Sequence, residues 1–269
     1  MSELHFARRI ASEAGGLLTA GAFRSHAADS KQVENDLVTE YDKRSEKLLV
    51  DAIRSAFPGD RILAEEGGEL AGATGSERRW LIDPLDGTVN FAHGLPFFVV
   101  SIGLEVAGVL ELGVVQAPAL GWSFWAERGQ GAWMASRMEM GERRLYVSAT
   151  RTLGKAVLAT GFPYDRQTSP QNNLAEFVTI KQRAQAVRRV GAAALDLAMV
   201  AAGWMDGYWE MKLKPWDLAA GALLVGEAGG RITSWSGGAF AVDSGEAVAT
   251  NGLFHDELLA ALKDVRPLV

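Results

Sequence analysis

There is no cysteine among the 269 residues. Disulfides, thiolate nucleophiles and cysteine-ligated zinc are therefore excluded. Positive charge is in deficit, with 27 Lys and Arg against 33 Asp and Glu and a formal net charge of −6. A surface that coats nucleic acid or adsorbs to an anionic membrane needs the opposite surplus, and the doublets Arg143-Arg144 and Arg188-Arg189 are too short to supply it. No window holds the roughly 18 uncharged apolar residues of a membrane span. The opening MSELHFARRIASEAGG carries Glu3 and Glu13 where a signal peptide would be continuously apolar, so a cytoplasmic location is expected. Histidine is scarce. His5, His26, His93 and His255 show no HExxH or triad spacing, His93 is expected to be a cap or surface residue at a helix end, and no GxxxxGK[ST] loop occurs. Repeats, low-complexity tracts and Ser/Pro-rich linkers are missing too. Residues 1–269 are expected to pack as one unit, with an N-terminal half of about 1–145 and a C-terminal half of about 146–269.

What is present is apolar mass, 48% of the chain, ample for a core. Phe6, Ile10, Leu17 and Leu18 within 3–23 and Tyr41, Leu48, Leu49, Ile53 and Phe57 within 40–57 recur at helical intervals and predict two amphipathic helices. Gly15-Gly16 weakens the first. From 80 to 126 the pattern changes to short apolar runs broken by Gly or Pro, which predicts a mostly antiparallel sheet. Further on, ALDLAMVAAGW reads as a buried helix, DGYWEM as a strand, and PWDLAAGALLVGEAGG as a helix opened by Pro215 and stopped by glycines. RITSW and AVAT supply strands and FHDELLAALKDV a last helix. The expected class is a layered α+β fold with Trp80, Trp204 and Trp216 as core anchors.

Four acidic clusters stand at the edges of these segments: Asp42 in DLVTEYD, Glu65-Glu66 in ILAEEGG, Asp83 and Asp86 in IDPLDG, and Asp217 in KPWDLAAG. Two carboxylates about 4 Å apart repel by roughly 4 kcal/mol at an effective dielectric near 20. If the clusters converge, a hard divalent cation held by oxygen is the natural neutraliser, Mg2+ first among them. Each acid also has an ordinary reading. Asp42 lies three residues after Thr39, a capping-box spacing; Asp217 opens a helix, where any acid gains from the macrodipole; Glu65-Glu66 suits a solvated loop; DPLDG suits a turn. The order DPLDGT together with the other three clusters favours the joint site. Gly87 and Thr88 then offer backbone N–H groups to a phosphate, Thr88 can orient a water, and a two-ion site suits in-line displacement at phosphorus.

WLIDPLDGTVNFAHGLPFFVVSIGL and WDLAAGALLVGEAGG resemble the two signatures of the inositol monophosphatase family, with DLVTEYD, AEEGG, ATGFPYD and RRVGAAALDLAMVAAGWMDGYWE in the family's order. The resemblance spans residues 5–262. It implies an α/β/α/β/α sandwich, Mg2+-dependent hydrolysis of a phosphomonoester without a phosphoenzyme, lithium inhibition and a homodimer. Residue by residue, it implies Glu65, Asp83 and the Leu85 carbonyl around a first ion, Asp83, Asp86 and Asp217 around a second, and Glu65 near a third. Thr88 and Asp42 would position the attacking water, with Glu65 beside them. The amides of Gly87 and Thr88 would hold the phosphate, while Gly191, Ala192, Ala193, Glu210 and Asp217 would face the hydroxyl-bearing part of the substrate. Lys31 matches a lysine on a loop near the ions, and a solvated lysine is its other reading. Ala64 departs from the glycine that the family often has before its paired glutamates.

Glu210, seven residues before Asp217, favours inositol or another polyol phosphate, because a carboxylate accepts hydrogen bonds from vicinal hydroxyls. Fructose-1,6-bisphosphatase, histidinol-phosphatase and 3'-phosphoadenosine nucleotide phosphatase activities stand as alternatives. So does a regulatory binding role in RNA metabolism or with the transcription machinery, which the charge does not indicate. Mutually repelling acids argue against a purely non-catalytic chain.

Overall fold

The computed structural model describes residues 2–23, 29–30, 37–138 and 141–265. In chain order the elements begin with α1 (Glu3–Gly21), the short strands β1 (Asp29–Ser30) and β2 (Leu37–Val38), α2 (Glu40–Ala56), β3 (Arg61–Ala64), β4 (Gly68–Leu70) and β5 (Arg78–Asp86). Then come α3 (Thr88–Ala92), β6 (Val99–Val106), β7 (Val109–Ala117), β8 (Trp122–Glu127), β9 (Gly131–Ser136) and β10 (Glu142–Arg144). The remainder is β11 (Val157–Thr160), α4 (Leu174–Arg183), β12 (Ala186–Arg188), α5 (Ala193–Ala201), β13 (Gly207–Met211), α6 (Pro215–Glu227), β14 (Arg231–Thr233), β15 (Glu246–Thr250) and α7 (His255–Lys263).

Eight strands form one sheet in the order β10-β9-β8-β7-β6-β5-β3-β4, antiparallel except where β3 runs parallel to β5. Five form a second, β12-β11-β13-β15-β14, in which β11 runs parallel to both its neighbours. Alternation along the strands shows what covers each face. Trp80, Ile82, Val100 and Ile102 pack against Ile10, Leu18, Leu49 and Ile53 of α1 and α2. Leu81, Val99, Val115 and Phe124 turn to the opposite side and meet α5 and α6. Tyr208, Ala247 and Ala249 of the second sheet cover those helices from beyond, and Leu158, Trp209 and Val248 on its outer face meet α4 and α7. The layers therefore run α/β/α/β/α, a layered α+β fold as the patterning predicts and in the order that the family resemblance implies. Burial on both faces is why the strands read as nearly continuous apolar runs.

One cross-strand pair sets the depth of the middle layer. Gly103 of β6 and Gly113 of β7 are direct partners. A Cβ on Gly103 would stand 2.6 Å from the Ala219 Cβ, and one on Gly113 would stand 2.8 Å from the Ala220 Cα. Side chains there would lift α6 off the sheet, and Asp217 with it.

The strands and helix that the periodicity does not predict are short or half-exposed: β1, β2, β3, β4, β9, β10, β11, β12 and α4. Trp80 is fully buried as expected, but Trp204 is 41% exposed. Gly203, with φ 70, ends α5 in a left-handed turn, and Trp204 swings to the rim against Trp122, ring centroids 4.7 Å apart. His93 is exposed at the end of α3. His255, by contrast, is buried, its Nδ1 2.9 Å from the Thr250 hydroxyl and its Nε2 2.9 Å from that of Thr233.

Burial, aided by Arg231, pushes the His255 pKa down from 6.5 to about 4. Between those values the unfolded chain binds the extra proton, so the stability His255 contributes is present above about 6.5 and lost as pH falls toward 4. Melting curves of the wild type and His255→Gln should therefore converge on moving from pH 7 to pH 4.5. A constant gap between them would refute the neutral, buried imidazole.

Candidate active site

Four helix N-termini meet near the carboxyl end of β5: those of α2, α5 and α6 each hold one acid, and that of α3 follows Gly87 with no acid in its first turn. Residues Asp83 and Asp86 bracket a bulge: Asp83 pairs with Ser101 and Asp86 with Val99, so β5 carries one residue more than its partner. Such a bulge re-aims side chains at a strand end. The Asp83 Oδ1 accepts from the Leu85 N–H at 3.0 Å, and the Pro84 carbonyl accepts from Ser45 on α2 at 2.8 Å, which fixes the bulge. Asp86 accepts from the Ala193 and Ala194 N–H groups at 3.2 and 2.8 Å, the first turn of α5. The Asp217 Oδ2 accepts from the Lys214 N–H at 2.7 Å at the start of α6, and Ser101 donates to the Trp216 carbonyl at 3.2 Å, tying that helix start to β6 beside Asp83.

Asp42 reconciles both readings of its position. One oxygen, Oδ2, accepts from the Thr39 N–H at 2.7 Å and its hydroxyl at 2.6 Å, capping α2; the other accepts from the Thr88 hydroxyl at 2.9 Å. That hydroxyl also lies 3.0 Å from the Leu85 carbonyl oxygen. Gly87, with φ 93, is the residue before α3, where a Cβ would come 2.7 Å from the Phe97 carbonyl, so the turn requires glycine. The next three N–H groups are in the first helical turn and have no partner within the helix.

Helix ends give an acid about 0.3–1 kcal/mol each, too little against repulsions of several kcal/mol. The imbalance shows in the titration. Burial first, then Glu65, Asp86 and Asp217, hold Asp83 well above the ordinary carboxylate range, with the Glu65 carboxyl close enough to share its proton. Burial with Asp86 and Glu65 does the same to Asp217. Asp86 is pushed up to about 7 by burial and Glu65, against the pull of the two α5 amides and Arg189. The acids of the distant segments therefore feel one another at one place. Their donors are all oxygen, which fits a hard divalent cation. As they stand, no three of the described His, Asp and Glu side chains are gathered tightly enough to enclose an ion.

Glu210 at the end of β13 belongs to the same field. Its carboxyl is pushed up to about 7 by burial and by Asp86, while Arg189 and the Tyr208 hydroxyl, 2.5 Å from Oε2, pull the other way. Gly191, with φ 89, and Ala192 lie against α3: Asn90 donates to the Phe97 and Val190 carbonyls at 2.7 and 2.9 Å, and a Cβ on Gly87 would come 3.3 Å from the Ala192 Cβ. The Ala193 amide is given to Asp86. His26 and Lys31 lie outside the described residues. Sequence reasoning passed over two residues. Asp196, 1% exposed on α5 with its Oδ1 lacking a hydrogen bond, is held well above the carboxylate range by burial and by Glu210 and Asp86; a single acid within ALDLAMVAAGW was the available signal. Arg189 is the cation that pulls on Asp86, Glu210 and Asp196 together.

The family model for the inositol monophosphatase family matches residues 2–266. The chain belongs to that family. It is 41% identical to an inositol-1-monophosphatase of Synechocystis over 267 residues, 97% of this chain and 90% of that protein. It is 40% identical to the Nus factor SuhB of Escherichia coli over 262 residues, 97% and 96% of the two chains. Among solved structures, an inositol monophosphatase from Anabaena superposes with a TM-score of 0.86 at 41% identity, covering 98% of this chain and 96% of that one. One from Thermotoga maritima gives 0.86 at 36% identity, covering 98% of each. Membership supports a phosphatase, of a family that is generally metal-dependent. No described helix is long and apolar enough to cross a membrane.

Proposed function

We propose that this protein is an inositol-phosphate phosphatase that hydrolyses myo-inositol 1-phosphate with Mg2+, two or three ions being held by Glu65, Asp83, Asp86, Asp217 and the Leu85 carbonyl. The observation that carries the reading is the electrostatic coupling of Asp83, Asp86 and Asp217 with Glu65, with Glu210 reaching the same field through Asp86 and Asp217. When bound, such an ion neutralises the acids and makes a neighbouring water easier to deprotonate. The chain's own residues do the rest. The Thr88 hydroxyl passes its proton to Asp42 Oδ1 while taking one from the attacking water, the first-turn amides after Gly87 face the phosphate, and Glu210 accepts hydrogen bonds from substrate hydroxyls. Gly191 and Ala192 bound the polyol side; Ala193 acts there through Asp86. The working form is a cytoplasmic homodimer sensitive to lithium.

Phosphate release tests this. With Mg2+, myo-inositol 1-phosphate should outrun histidinol phosphate, fructose 1,6-bisphosphate and 3'-phosphoadenosine 5'-phosphate, and chelation should stop all four. The reverse ranking would move the substrate to a related phosphomonoester. Similarity to proteins named Nus factor SuhB supports a second reading, a binding role in transcription. Capture of the same transcription proteins by wild type and by the catalytically dead Asp83→Asn would favour that role alongside catalysis.

A further inference from the structure

Four described residues other than glycine have left-handed backbone; two of them are Asn173, with φ 62, whose side chain bonds the carbonyl of Gly161 beside Glu210, and Lys212, with φ 60, two residues after Glu210. Conformations this costly persist where the surroundings enforce them, and they cluster at functional sites. Here each holds one part of the same loop. Asn173 is fully buried; its Nδ2 donates to the Thr160 hydroxyl at 2.8 Å and the Gly161 carbonyl at 2.6 Å, and its Oδ1 accepts from the Trp209 indole at 2.8 Å. These bonds close the neck of the loop 161–173, in the manner of an Ω-loop, on the residue before Glu210. Lys212 holds the middle. Its Nζ donates to the Asp165 Oδ2 at 2.7 Å and the Ser169 hydroxyl at 2.8 Å, and the Asp165 carbonyl accepts from the N–H groups of Thr168 and Ser169, both at 2.9 Å.

The loop presses directly on the carboxyl it flanks. A Cβ on Gly161 would fall 2.1 Å from the Glu210 Oε1, so backbone and carboxylate are in close contact there. Glu210 is thus clamped between the Tyr208 hydroxyl and the start of the loop. A displacement of the loop that reaches Gly161 would displace Glu210.

We infer that Lys212 is a positioning residue for substrate choice: its latch to Asp165 and Ser169 fixes the loop 161–173 against Glu210, and so confines the site to compact, hydroxyl-rich phosphomonoesters. The inference rests on the reading of Glu210 as the hydroxyl-recognising carboxylate. A lysine at a left-handed position is the expense of this device, since glycine would adopt that backbone freely.

The test is Lys212→Gly with Lys212→Asn, both compatible with left-handed backbone and neither able to reach Asp165. Each should fold with an unchanged or higher melting temperature. KM for myo-inositol 1-phosphate should rise about tenfold with kcat within about twofold, and the preference over p-nitrophenyl phosphate should fall by about the same tenfold. Lys212→Arg, which can still reach Asp165, should restore most of the preference. Asp165→Asn should match Lys212→Gly, with the double variant no worse than either. An unchanged KM and preference, or an equal fall in kcat on both substrates, would overturn the inference. If the wild type does not hydrolyse inositol phosphate at all, the functional reading fails instead. Amide exchange in residues 162–172 then decides the latch: faster exchange in Lys212→Gly supports it and unchanged exchange ends it.

Discussion

Asp83→Asn should lower phosphate release by about a thousandfold and yet raise the melting temperature of the metal-free protein. Ion-assisted catalysis supplies several kcal/mol of charge stabilisation, and at 1.36 kcal/mol per tenfold the loss of a shared ligand costs about 10³ in rate. Fold stability moves the other way. Asp83 is buried, and Glu65, Asp86 and Asp217 all oppose its charge. Asparagine still accepts the Leu85 N–H bond and removes the repulsion. A gain of about 1 kcal/mol would lift the melting temperature by about 2–4 °C in a chain of this size. The pH dependence has a definite sign. A carboxyl whose folded pKa is raised binds its proton more readily in the folded state, so its stability is present below about 4 and lost as pH rises, for Asp86 toward about 7. Metal-free wild type should therefore weaken between those values through these acids, opposite to the contribution of His255. Asp83→Asn should flatten that decline, and Mg2+ should restore the wild type at pH 8. Unchanged turnover would contradict the ion role, and a lower metal-free melting temperature would contradict the repulsion.

The acids were legible because each interrupts an apolar run at its end, and DPLDGT orders two of them around a proline and before a glycine and a hydroxyl. Their meeting was favoured by the order DPLDGT together with the other three clusters, and the family resemblance supplied the residue-by-residue arrangement. Thr88 and Asp42 are 46 positions apart, and the depth of Asp217 depends on two glycines in a sheet whose register local pattern does not specify. The capping reading of Asp42 and a contact with Thr88 looked like alternatives, yet a carboxylate has two oxygens, and one accepts from Thr39 while the other accepts from Thr88. Asp196 escaped because ALDLAMVAAGW reads as core, and core is where it lies; its meaning comes from Glu210 and Asp86, which other segments bring to it. β9 to β12 are short and lie toward sheet edges, where half-burial blurs the alternation that made β5 to β8 visible. Trp204 was placed in the core on size alone, which takes no account of the turn at Gly203.

Thr88→Ala should leave the fold intact and lower kcat by about 10²–10⁴, the usual contribution of a positioned proton acceptor. The argument lies in the hydrogen count. Thr88 has one hydroxyl proton and two acceptors within reach, Asp42 Oδ1 at 2.9 Å and the Leu85 carbonyl at 3.0 Å. If the Leu85 carbonyl serves an ion, that proton goes to Asp42, and the Thr88 lone pairs are left to take a proton from water. Asp42 is suited to receive it: burial raises its pKa, while the bonds from Thr39 and Thr88 pull the other way. Serine at 88 should recover most of the rate and alanine none. Asp42→Asn would keep an oxygen for the Thr39 N–H and turn its amide toward Thr88, reversing the bond and blocking the transfer while the helix remains capped. Because both residues serve one proton, the double variant should be no slower than the worse single variant. Additive losses would mean that the two act separately. A Thr88→Ala enzyme within tenfold of wild type would show that the water is activated without this relay.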